Sequence, residues 1–107
     1  MPQVIEIPID VTAIGAGPSP IIACNNAQRA TLVVQTSAPL SAGQWVLKAT
    51  ITPDNTIPGA IIATANFPAT PARVSSASAD LPHKYVYVEQ AAAPVGGTVQ
   101  KISVLLE

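Results

Sequence analysis

Charged side chains are scarce in this chain of 107 residues: five basic and six acidic, 10% of the whole, where ordinary globular proteins carry about 25%. The net charge of −1 leaves no basic stripe for nucleic acid and no cationic face for an anionic membrane. Cysteine is nearly absent. Cys24 stands alone, which excludes an intramolecular disulfide and the bridged framework of small secreted domains. The opening residues MPQVIEIPIDV have no basic n-region and carry Glu6 and Asp10, so no signal peptide is read there and synthesis in the cytosol is expected. Residues 11–28, 30–47 and 55–72 are free of charge, but each is interrupted by proline together with glycine or strings of Ser, Thr, Asn and Gln. None reads as a membrane helix.

Catalytic equipment is equally thin. His83 is the single histidine, so no ligand cluster for a metal is expected around it or around Cys24. Seven serines and Asp10, Asp54 and Asp80 are present, yet none of the serines sits in a Gly-x-Ser-x-Gly elbow. Gly15-Ala16-Gly17 lacks the later glycine and the Lys-Ser/Thr of a phosphate loop, and Pro18 and Pro20 stand where a helix should begin. No enzyme, cofactor or metal site is expected.

What the chain has instead is proline and alternation. Eleven prolines leave little room for long helices. Between them run short segments rich in Ile, Val and Thr with a period of two: 3–11, 20–24, 29–36, 44–52, 59–67, 72–78, 84–90 and 98–106. Turn chemistry separates them, as in CNNAQ, SAPLSAG and TPDNTIP. The expected fold is one all-β domain over 1–107, an antiparallel β-sandwich of about eight strands, jelly-roll or immunoglobulin-like. Its expected core holds Ile5, Ile7, Ile9, Leu32, Val34, Trp45, Leu47, Ile51, Val86, Val88, Ile102 and Val104. Pro8 interrupts the first strand, so residues 1–11 are expected at a sheet edge or as an assembly arm on a neighbouring subunit.

Two features bear on company. The outer faces of the strands carry Ser, Thr, Gln and Ala rather than charge, and such a surface loses little on being covered. Tyr85 and Tyr87 lie two apart on one strand and share a face, which suits an interface anchor or a stacking platform for a sugar ring. Together with the first-strand edge, they make Tyr85, Tyr87, Val4, Glu6 and Pro8 the candidate contact residues.

The strands RATLVVQT, QWVLKATI, KYVYVEQ and GGTVQKISVLL, with their Asn-rich turn and Ala-Pro-Gly-Gly loops, resemble those of small all-β capsid decoration, or cement, proteins of tailed phages. The resemblance spans most of the chain and rests on no residue-level motif. It implies a non-enzymatic virion subunit, made in the host cytoplasm, that binds a capsid or other virion protein, often as a homotrimer. The alternative is a carbohydrate-binding or adhesion module built on Tyr85, Tyr87 and Trp45. No nucleic acid or membrane partner is expected.

Overall fold

The computed structural model describes residues 5–9, 19, 21–24, 27–51, 59–68 and 73–107. Alternation of apolar and polar residues becomes eight strands: β1 (Ile5–Ile9), β2 (Ile22–Ala23), β3 (Arg29–Thr36), β4 (Ala42–Thr50), β5 (Ala60–Phe67), β6 (Val74–Asp80), β7 (Tyr85–Val95) and β8 (Val99–Leu106). Strand β3 shows the principle most clearly. Ala30, Leu32, Val34 and Thr36 are buried, while Arg29 and Gln35 between them are exposed, because successive side chains leave opposite faces of a pleated strand.

The strands form two antiparallel sheets of four. Sheet A has the order β1-β8-β3-β6 and sheet B the order β2-β7-β4-β5. The pairing is nested: first strand with last, second with seventh, third with sixth, fourth with fifth. Only β4 and β5 follow one another in the same sheet; every other connection crosses between sheets. That is the order of a jelly roll. An immunoglobulin-like sandwich would keep its first two strands in one sheet, whereas β1 and β2 lie in different ones. Edge strands β5 and β6 pack against each other across one side of the sandwich.

The inner faces meet over Trp45, Leu47 and Ala49 of β4, Val86 and Val88 of β7, and the buried rows of β3 and β8. Trp45 is fully buried and meets Phe67 edge-on, with ring centroids 5.8 Å apart at 89°. Two expected core residues lie elsewhere. Ile51 is 60% exposed because β4 ends at Thr50 and its alternation runs out before that position. Ile5 is 49% exposed, since β1 is an edge strand paired only with β8. Ile7 is half-buried, and Ile9 completes the gradient inward.

Strand β7 runs on through Ala91-Ala92-Ala93-Pro94-Val95, a stretch whose composition suggests a turn. Register shifts against β4, with Ala42 facing Val95, Gln44 facing Ala92 and Trp45 facing Gln90, take up the extra residues; bulges of this kind accommodate proline within a strand. The end of this ribbon is pinned by the Ser41 amide donating to the Val95 carbonyl at 2.9 Å and the Ser37 amide donating to the Thr98 carbonyl at 2.9 Å.

Gly43 has φ of 149°, and a Cβ placed there would lie 2.9 Å from the Trp45 ring. Replacement Gly43→Ala therefore both strains the backbone and displaces the indole. It is expected to destabilise the domain by about 1–3 kcal/mol, read as a lower urea midpoint at unchanged m-value; an unchanged midpoint would show that Trp45 is not held as described.

Candidate interaction surface

The outer face of sheet A follows from the strand registers. Across the sheet, one row reads Glu6, Leu105, Thr31, Ser78; the next reads Pro8, Ser103, Val33, Ser76. Apolar side chains reach this face because β3 and β8 carry consecutive apolar pairs, Val33-Val34 and Leu105-Leu106. One member of each pair is buried inside and the other is half-buried outside.

Four of the charges on this face are partnered within the chain. Lys101 Nζ donates to Glu6 Oε1 at 2.7 Å across β8 and β1. Arg29 reaches Asp80 Oδ1 at 3.3 Å and donates to the Ser78 hydroxyl at 3.1 Å. The hydrogen bond from Lys101, then its charge, hold the Glu6 carboxyl below the ordinary carboxylate value, with the Ser103 hydroxyl adding a further bond and slight desolvation opposing them. Ser103 faces outward yet is buried. It floors a shallow depression of about 200 Å³ that is lined by Glu6, Lys101, Val33, Gln35 and Leu105.

Sheet B presents a different outer face. Tyr87 lies on its outward register, opposite Lys48, but is only 2% exposed. Its hydroxyl accepts a hydrogen bond from the Gly59 amide at 3.0 Å, and a Cβ on Gly59 would come 3.0 Å from the tyrosine ring. Beside it, Lys48 donates to Glu89 at 2.9 Å. That bond is the main reason the Lys48 ammonium is held above its ordinary value, with burial opposing and the Glu89 charge adding. At one end of the molecule, Ile51, Pro82, His83 and Lys84 line a second depression of about 300 Å³.

The candidate contact residues are therefore dispersed. Glu6 and Pro8 share the edge and outer face of sheet A, while Tyr85 and Tyr87 belong to sheet B, on the other side of the molecule. The expectation that both tyrosine rings lie open fails for Tyr87, which is spent on holding Gly59; Tyr85 is half-buried. Val4 lies outside the described residues. Trp45 is wholly internal, so the described aromatics supply no pair of open rings for stacking a sugar. Cys24 is buried, and desolvation raises its thiol pKa. Among the described residues, no three His, Cys, Asp or Glu side chains are grouped so as to hold a metal ion, and no helix is long and apolar enough to cross a membrane.

Val33 and Leu105 are the surface residues that alternation alone misses. Their signal is the doubled apolar pair, which breaks a strict period of two and shows that the second face is not fully polar. Comparison of the chain with protein-family models, curated proteins and solved structures finds no match in any of the three.

The Glu6–Lys101 pair makes the hold on β1 pH-dependent. A carboxyl whose folded-state pKa is lowered stabilises above its unfolded value of about 4.3, and that contribution is lost as pH falls through the folded value. Backbone NMR signals of Ile5 and Ile7 are expected to broaden or shift on acidification below about pH 4, and to do so much less in Glu6→Gln. Equal behaviour of the two proteins would rule out the pair as the cause.

Proposed function

We propose that this protein is a non-enzymatic structural subunit that attaches to a larger protein shell, as the decoration proteins of tailed phages do, and that it works there as a homo-oligomer, a trimer, in the virion. Jelly rolls serve capsid shells, lectins and cupins alike, so the fold does not choose among these functions. The observation that carries the reading is the outer face of sheet A. Four of its charges are held in two internal pairs, and between them lie Thr31, Val33, Ser76, Ser103 and Leu105. Such a face has little to desolvate and few charges to repel a neighbour.

The phage shell and the number three come from the sequence resemblance; the neutral face supplies the physical means of attachment. Half-buried Val33 and Leu105, in adjacent rows and flanked by serine and threonine hydroxyls, match the mixed character of a protein interface, apolar at its centre and hydrogen-bonding at its rim.

The test is the composition of shells. Phage particles assembled in a host that produces the chain should, after density-gradient purification, contain it in fixed ratio to the major shell protein. Val33→Lys should leave a cooperatively folding domain, because a half-buried lysine keeps its ammonium in water, and yet lower shell binding by about tenfold or more, equivalent to ~1.4 kcal/mol. Absence from purified particles, or a variant that binds like the wild type, would contradict the proposal.

A further inference from the structure

Strand β1 is the more lightly held of the two edge strands of sheet A, since the other, β6, also packs against β5. It has one neighbour, β8, through five register pairs from Ile5↔Leu106 to Ile9↔Ile102. Its burial fades from 9% at Ile9 to 49% at Ile5, so it gives its own core a single well-buried side chain. The partner edge is the more committed half. Ile102, Val104 and Leu106 of β8 are all buried, and without β1 the β8 backbone groups on that side would lose their ladder partners.

A proline in the middle of an edge strand blunts the addition of a further strand, and Pro8 occupies that place. Copies are thus poorly served by stacking onto the outside of β1. Exchange is different, because it re-forms on another copy a ladder that already exists. The chain between has the length for it. Ser19 is fastened to β7 twice, its amide donating to the Val88 carbonyl at 2.8 Å and its hydroxyl accepting from the Val88 amide at 2.8 Å. Nine residues, 10–18, lie between that anchor and Ile9, and nine extended residues reach about 30 Å. The molecule measures 36 × 34 × 19 Å, so the reach is comparable with its own width.

We propose that β1 is exchanged between copies, Ile5–Ile9 of one chain pairing with β8 of a second chain in the register seen within one chain. The proposal rests on the reading that copies assemble, and it names the strand and the receiving edge that join them. Glu6 of one copy then meets Lys101 of the next, Ile7 lies beside Val104 and Ile9 beside Ile102. No new surface chemistry is required, which is why exchange of an identical element is an inexpensive route to an oligomer.

Charge reversal tests this. Glu6→Lys and Lys101→Glu each place like charges across β1 and β8 in a homogeneous sample. Refolded together at low salt, with one chain isotopically labelled, exchanging chains put opposite charges back across the junction between unlike copies. Native mass spectrometry should then show the unmixed oligomers depleted several-fold below the share given by random mixing. The random share would overturn exchange while leaving a homo-oligomer joined elsewhere, and monomers alone would remove both exchange and the homo-oligomer. A second pair of variants gives the same decision without altering charge. Pro8→Cys chains oxidised together with Ser103→Cys chains should yield a disulfide-linked heterodimer on a non-reducing gel, and its absence would overturn exchange.

Discussion

Everything else in the molecule depends on the packing of the two inner sheet faces around Trp45. Its indole is wholly buried, braced edge-on by Phe67 and admitted by the missing side chain of Gly43. The arrangement leaves the indole N–H without a hydrogen-bond partner among the described residues, at a cost of about 1–3 kcal/mol. Burying a ring of this size returns more: roughly 200 Å² at about 25 cal/mol per Å² is on the order of 5 kcal/mol. Packing wins, and β4 is fixed with its Trp45, Leu47 and Ala49 row inward.

Once β4 is fixed, the nested strand order decides what remains at the surface. The inner strands of the two sheets, β3 and β8 in one and β4 and β7 in the other, each pair on both sides. Edge strands β5 and β6 cover one another, while β1 stands at the free edge of sheet A. Sheet B commits part of its outer face internally, through Tyr87 holding Gly59 and Lys48 bonded to Glu89. Sheet A keeps an outer face on which two ion pairs form within the chain. The low charge content of the sequence thus acquires a location.

Much of the fold was legible in the residues, and the failures have physical causes. Strand β3 was readable to its ends because Arg29–Thr36 is rich in β-branched residues and bounded by turn residues, Asn25-Asn26 before it and Ser37-Ala38-Pro39 after it. Strand β7 was not, since Ala-Ala-Ala-Pro has the composition of a turn and stays in the sheet through bulges that depend on a distant partner, Ala42–Gln44. Ile5 and Ile51 have the right parity for the core, but parity does not reveal which strand lies at an edge or where a strand ends. The surface was harder to read. Tyr87 looked like a contact residue because nothing in its own neighbourhood of sequence announces that Gly59, 28 positions away, will bond to its hydroxyl. Val33 and Leu105 could have been found from their doubled apolar pairs.

The central claim is that association is driven by covering neutral surface rather than by attraction between charges. Its most direct measurement is the salt dependence of self-association and shell binding, followed by sedimentation from about 0.05 to 1 M sodium chloride, a range over which the Debye length falls from more than about 10 Å to about 3 Å. Neutral burial predicts affinities that hold or strengthen across that range. A steep loss of affinity with salt, tenfold or more, would mean that charges carry the contact and would contradict the account.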